Sequence, residues 1–275
     1  MTEPAIRTIG TVGLVGCGRM GRALARHLLA AGADVLAVDP DPAALELVAG
    51  SGATPLPDAA TLARDSDLVL VVVVDDDQVV EAVTGENGLL AGARPGTIVA
   101  VCASVRPDTC RDLAVAAGEK GVHLIDVALV RGERGAEEGR LALMCGGAEE
   151  VLDACRPTFS AFAADVSHLG DVGSGQVAKV ANNILLWACI RADVEALRLG
   201  RALGVEPGRL RDALAIGSGA NRPLAEWGNH RLRWPHKDLK VARELASDSR
   251  TAVPLVDSLP PLIEELSVED LKDLL

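Results

Sequence analysis

A chain of 275 residues is long enough for about two domains at roughly 150 residues each. Its 49% apolar content can fill a sizeable core, and 27 Lys plus Arg against 39 Asp plus Glu leave a net charge of −12, which repels phosphate backbones and argues against nucleic acid as a partner. There is no Tyr, which excludes any tyrosine proton donor, and no apolar run approaches the roughly 20 residues that cross a bilayer, which argues against a membrane partner.

From the N-terminus, Ile9 to Val15 reads as a strand. Arg19 to Ala31 has helical spacing, with Met20, Leu24, Leu28 and Ala31 on one face. Asp34 to Val38 is a second strand, and Pro42 to Gly50 a helix with Pro at its first position. Leu68 to Val74 is an apolar run of the kind found where helices cover both faces of a parallel sheet. Further strands are expected at Thr97 to Val101, Val122 to Asp126 and Leu141 to Cys145. Strands alternating with helices predict an α/β fold, an N-terminal Rossmann doubly wound parallel sheet. After Gly170 the pattern becomes helical, with one long stretch from Ser174 to Leu203 and further helices at Pro207 to Ile216, Asp238 to Ala246 and Pro254 to Leu266. The expected division is a dinucleotide-binding domain over residues 1–169 and an all-α C-terminal domain over residues 170–275, for substrate and for oligomer contacts.

The six cysteines, Cys17, Cys102, Cys110, Cys145, Cys155 and Cys189, show neither C-x-x-C spacing nor a Cys/His cluster, so no metal site is expected. Met1 to Gly10 lacks the apolar stretch of a signal peptide, and the chain reads as cytoplasmic with reduced thiols.

The first strand ends in Gly16-Cys17-Gly18-Arg19-Met20-Gly21, a G-x-G-x-x-G turn between strand and helix. Gly16 permits the tight turn, Gly18 lets backbone approach a pyrophosphate, and Gly21 lets the helix pack on the strand, with the helix N-terminus facing the anion. Arg19 can touch phosphate or simply point to solvent. The second strand ends in Asp39, 18 residues after Gly21, near the spacing of the acid that binds a ribose 2′-hydroxyl. A carboxylate there repels a 2′-phosphate, so the expected cofactor is NAD rather than NADP. The run Asp39-Pro40-Asp41-Pro42 is also turn and N-cap material.

A second constellation opens the long helix: Gly173-Ser174-Gly175-Gln176-Val177-Ala178-Lys179-Val180-Ala181-Asn182-Asn183. Lys179 and Asn183 are four residues apart and share a helix face. Apolar neighbours would desolvate Lys179 and draw it towards the neutral amine that takes up an alcohol proton. Asn183 can hold the substrate oxygen or orient the lysine, and Gly173 and Gly175 would let a cofactor ring approach. A solvated lysine on an amphipathic helix is the plainer alternative.

These motifs resemble the β-hydroxyacid dehydrogenase family, which includes 3-hydroxyisobutyrate dehydrogenase and tartronate semialdehyde reductase. The family's G-x-G-x-M-G is matched by Gly16 to Gly21 with Met20 in place. Its G-x-G-x-x-x-K-x-x-N-N is matched by Gly173, Gly175, Lys179, Asn182 and Asn183, and its K-D-L by Lys237-Asp238-Leu239. The resemblance implies that Lys179 is the general acid/base, that Asn183 binds substrate, and that Lys237 sits at the nicotinamide and substrate pocket. It implies hydride transfer between a nicotinamide cofactor and a 3-hydroxy acid or related alcohol, in a homodimer or homotetramer joined through the helical domain. The family's substrate stretch D-A-P-V-S-G-G aligns with Asp126 to Gly132, where Val130 replaces the serine and Arg131 the first glycine. Arg131 would either anchor a substrate carboxylate by a bidentate contact or point into solvent. Val130, Arg131 and Gly132 are thus candidate substrate contacts.

Ser104, in Ala103 to Pro107, resembles the hydroxyl of the family's loop beside the nicotinamide, and is also placed to N-cap a helix at Pro107. Trp187 can line the pocket or fill a core. Trp227 and Trp234 bear on pocket shape, and His230 and His236 lie near Lys237 in sequence. The alternatives in function are an imine reductase on the same scaffold and a non-catalytic dinucleotide-binding module.

Overall fold

The computed structural model describes residues 5–229, 232 and 235–275; His230 and Trp234 lie outside the described residues. By its contacts the chain divides into two compact units, Met1–Lys179 and Val180–Leu275.

The first unit begins β1 (Thr11–Val15), α1 (Arg19–Ala30), β2 (Asp34–Val38), α2 (Pro42–Ala49), β3 (Thr54–Pro55), α3 (Ala59–Asp65) and β4 (Leu68–Val71). It continues with α4 (Asp76–Thr84), α5 (Leu89–Gly92), β5 (Ile98–Val101), α6 (Pro107–Glu119), β6 (His123–Val130), α7 (Gly132–Glu137), β7 (Leu141–Gly146), α8 (Glu149–Phe159) and β8 (Ala163–His168). The strands form one sheet in the order β3-β2-β1-β4-β5-β6-β7-β8. The order reverses between β1 and β4, and the ends of the parallel strands from β2 to β6 open on one edge, where doubly wound sheets bind ligands.

All four residues of β4 are buried because both faces of the sheet are covered. Leu68 and Leu70 enter one core with Leu24 and Leu28 of α1 and Phe159 of α8. Val69 and Val71 enter the other with Leu62 of α3, Val79 of α4 and Leu113 of α6. Alternation along one strand thus feeds two cores.

The sheet is the expected doubly wound one, mostly parallel, with β7 antiparallel to β6. Two expectations need correction. The strand expected to end at Asp126 continues to Val130, so most of the expected substrate stretch is strand and only Arg131 and Gly132 turn. The strand expected to reach Val74 leaves the sheet after Val71.

Helix α9 (Ser174–Ala202) begins in the first unit and supplies most of its length to the second, which continues with α10 (Pro207–Leu214), α11 (Arg222–Ala225), α12 (Pro235–Asp248), α13 (Pro254–Glu264) and α14 (Val268–Lys272). Trp187, Ile190, Val194 and Leu197 recur at helical spacing on α9 and pack with Trp227, Leu239, Val256, Leu259 and Ile263 in one core. Among the described residues no helix is long and apolar enough to cross a membrane.

Candidate active site

The three glycines of the first loop have separable causes. Gly16 has φ 99°, a left-handed conformation that L side chains rarely adopt, and a Cβ there would stand 2.6 Å from the Val72 carbonyl beyond β4. A Cβ at Gly21 would collide with the carbonyl of Gly16, so this glycine brings α1 against the loop. Gly18 has neither reason. Its φ is −61°, and a Cβ there would meet no atom of the chain within 4 Å. Its bareness is useful only to something that approaches from outside, as a pyrophosphate does at this turn.

Helix α1 supports this. Its N-cap is Gly18 and has no side-chain cap, whereas α2, α3 and α4 are capped by Asp41, Asp58 and Asp75. The first N–H groups of α1 therefore point from the end of the sheet with a positive dipole behind them, which suits a phosphate. Asp39, just past β2, accepts the N–H of Cys17 on one carboxylate oxygen and the N–H of Asp41 on the other, at 2.5 and 2.8 Å. Cys17 is buried, and burial first and the Asp39 charge second push its thiol up to about 12, so it is inert packing. Met20 packs on the core beneath the loop. Arg19 turns sideways, its Nε 3.0 Å from Glu133 of α7.

The loop after β5 carries Ser104. The N-cap of α6 is Arg106, so the N-cap reading of Ser104 is overturned and its hydroxyl belongs to the loop. The backbone on either side of Ser104 is held by the side chain of Gln176: Nε2 donates to the Ala103 carbonyl at 2.9 Å, and the Val105 N–H donates to Oε1 at 3.2 Å.

At the start of α9, the buried carboxylate of Asp126 accepts the N–H groups of Gly173 at 2.6 Å and Gln176 at 2.8 Å. Burial pushes its carboxyl up, and those N–H bonds work against the shift. The glycines here have internal causes. Gly173 has φ 96°, and a Cβ on Gly175 would collide with the Met144 carbonyl. Gly175 serves the close seating of α9 on β6 and β7, and Gly173 a left-handed turn against Pro107 and Arg111 of α6, roles that the expected approach of a cofactor ring did not include. Asp126 and Gln176 were missed as site residues. The signal was a lone acid ending an apolar strand run, an expensive thing to bury without donors.

Lys179 projects from the second turn of α9, and its Nζ donates to the Leu129 carbonyl at 2.8 Å. This brings the ammonium beside the end of β6 at Val130, next to the turn of Arg131 and Gly132. Arg131 (φ 82°) and Gly132 (φ 61°) are both left-handed, so the backbone keeps the form of a glycine pair. The Arg131 guanidinium donates to Asp165 of β8 and to the Arg140 carbonyl. It is engaged within the sheet's own edge rather than held out as a carboxylate anchor.

In the second unit, Asn182 Nδ2 donates to Asn183 Oδ1 at 3.2 Å. Trp187 is 3% exposed in the core, and its Nε1 donates to Asp238 Oδ2 at 3.0 Å. Packing, not pocket lining, is the reading this fits, and it also gives the Asp of the K-D-L motif a structural role. Trp227 is likewise a core residue, bonded to the Leu271 carbonyl. Lys237 is half-buried on α12, between exposed His236 and half-buried Asp238.

Residues 11–170 match the family described as the NAD binding domain of 6-phosphogluconate dehydrogenase. Residues 173–274 match the family described as the NAD-binding of NADP-dependent 3-hydroxyisobutyrate dehydrogenase. The chain belongs to the β-hydroxyacid dehydrogenase family. As a member it is an NAD(P)-dependent oxidoreductase of the 3-hydroxyacid dehydrogenase type, and its glycine turn and uncapped α1 fit a nicotinamide dinucleotide. It is 31% identical to the NAD-dependent L-serine dehydrogenase of Pseudomonas aeruginosa, over 89% of this chain and 88% of that protein. The solved 3-hydroxyisobutyrate dehydrogenase of Mycobacterium tuberculosis with L-serine is similar at a TM-score of 0.86 and 25% identity, over 94% of this chain and 93% of that one. An imine reductase from Myxococcus stipitatus shares the fold, at a TM-score of 0.68 and 20% identity over 93% of each chain.

Proposed function

We propose that this β-hydroxyacid dehydrogenase uses NAD to interconvert a 3-hydroxy acid or related alcohol with its aldehyde or ketone, with Lys179 as general acid/base. The observation that carries this is the bond from Lys179 Nζ to the Leu129 carbonyl, which aims the amine at the sheet edge beside the Val130 turn. When bound, the nicotinamide supplies the hydride acceptor or donor. A neutral Lys179 amine has one lone pair and two N–H bonds. It can keep a bond to Leu129 while its lone pair takes the hydroxyl proton, and in the reductive direction the ammonium returns that proton to the carbonyl oxygen. Asn183 would hold the substrate oxygen, and Lys237 would face substrate and cofactor. Ser104 would touch the nicotinamide side, and Val130 and Gly132 the substrate.

Asp39 supports NAD over NADP: it stands just past β2, bonded to the glycine loop, near the spacing of the acid that meets the ribose, and its charge would repel a 2′-phosphate. Residues 1–169 would hold the dinucleotide and residues 170–275 the substrate and oligomer contacts. Exposed Leu185 and Leu199 on α9, and Leu203 just beyond it, support a homodimer or homotetramer through the helical domain.

The test is NADH formation at alkaline pH across 3-hydroxy acids and plain alcohols, with cyclic imines and NADPH assayed in reverse. Turnover of hydroxy acids or alcohols is expected. Turnover of imines alone, or none with dinucleotide binding intact, contradicts this reading.

A further inference from the structure

Gln176 is 1% exposed and makes three hydrogen bonds. Its backbone N–H donates to Asp126 Oδ2 at 2.8 Å, its Nε2 donates to the Ala103 carbonyl at 2.9 Å, and its Oε1 accepts the Val105 N–H at 3.2 Å. The two side-chain bonds lie on either side of Ser104 in the chain. A primary amide does this at any pH, because it sets one donor against a carbonyl and one acceptor against an N–H, as a neighbouring strand would. The far end of the same loop is fixed by Asp76 of α4, whose Oδ1 accepts the Arg106 N–H at 2.9 Å and the Thr109 hydroxyl at 2.6 Å. Behind Gln176, the same stretch of α9 leads in three residues to Lys179, and the same stretch of β6 leads from Asp126 in three residues to the carbonyl that Lys179 grips.

The loop of Ser104 and the turn of Lys179 therefore share a hydrogen-bonded frame that meets at Gln176, whose side chain holds the loop and whose backbone N–H holds Asp126. We infer that Gln176 is a positioning residue. It locks the Ala103–Val105 backbone in register with Lys179, and so sets the nicotinamide-side loop against the proton-transfer group. This rests on the reading of Lys179 as acid/base. A misplacement of about 1 Å between such groups costs on the order of 100-fold in rate.

The experiment compares Gln176→Met, which keeps the length and loses both side-chain bonds, with Gln176→Glu, which as a carboxylate opposes the Ala103 carbonyl and when protonated can donate to it again. For Gln176→Met, kcat is expected to fall about 10- to 100-fold with substrate KM changed less than about threefold, the signature of lost alignment rather than lost binding. In the whole chain, amide exchange at Val105 should quicken while Cys102 and Ala103, which bond to the Val71 carbonyl, stay protected. For Gln176→Glu, the ratio of its reductive kcat to that of the unaltered enzyme should rise as pH falls, a trend absent from Gln176→Met and one that a loss of packing would not produce. A kcat within twofold of the unaltered enzyme, or Val105 exchange unchanged in Gln176→Met, overturns the inference. Should the unaltered chain turn over nothing in the panel, the acid/base reading fails separately, and Val105 exchange alone decides this one.

Discussion

Asp39 Oδ2 accepts the backbone N–H of Cys17 at 2.5 Å, so the acid just past β2 and the glycine loop just past β1 form one structure. Its other oxygen holds the Asp41 N–H at 2.8 Å, where α2 begins. The carboxylate thus shapes the loop, and on the proposed reading its charge also faces the dinucleotide. Replacing Asp39 by Ala removes both. Charge-assisted hydrogen bonds contribute about 1.5–3 kcal/mol, so NADH affinity should fall about 10- to 100-fold and the NADH to NADPH preference should move towards NADPH. Fluorescence titration with the two reduced dinucleotides checks this, and an unchanged preference would contradict it.

The loop glycines predict opposite phenotypes. Gly18→Ala places its methyl where no atom of the chain lies within 4 Å, so the melting temperature should be unchanged within a degree or two while dinucleotide affinity drops at least tenfold. Gly21→Ala drives a methyl into the Gly16 carbonyl, an overpacking cost of about 1–3 kcal/mol. Its melting temperature should fall clearly. Thermal unfolding and titration of both variants separate the two causes.

Cys17 sits inside the dinucleotide loop yet should not behave as a sensor. With its thiol pushed up to about 12 by burial and by Asp39, the thiolate fraction at pH 8 is negligible. Iodoacetamide at pH 8 should leave Cys17 unmodified in the folded chain and label it in urea, as read by peptide mass. Rapid labelling of folded Cys17 would mean that the loop opens.

Arg131 pays a left-handed strain of roughly 1–2 kcal/mol, held by Asp165 and the Arg140 carbonyl. Because the guanidinium is engaged there, Arg131→Gly should keep the turn, and KM for a carboxylated substrate should stay within about threefold of the unaltered enzyme. A tenfold or larger rise for carboxylated substrates only would restore Arg131 as the anchor.

The sequence was most legible where one local rule governs a residue. Asp34 to Val38 was read with both ends correct, and the long helix to within one residue, because a continuous apolar period carries each. Strand β8 was missed. Ala163 to His168 has one strong strand former, Val166, and its register is set by pairing with β7 rather than by its own pattern. The antiparallel turn into β7 was hidden for a similar reason, since its direction is set by pairing with β6 across the short helix Gly132–Glu137 rather than by a local pattern. In the site, the glycine loop was legible because its geometry is local. Asp126 and Gln176 were not, because each acts on backbone roughly 50 or 70 residues away, and no spacing rule reaches that far.

Proton transfer by Lys179 is tested most directly by kcat and NADH affinity of Lys179→Ala beside the unaltered enzyme, on whichever alcohol it oxidises. Loss of a general acid/base costs about 100- to 10,000-fold, so kcat should fall by at least 100-fold with NADH affinity changed less than threefold. Turnover within a few-fold of the unaltered enzyme would contradict the account.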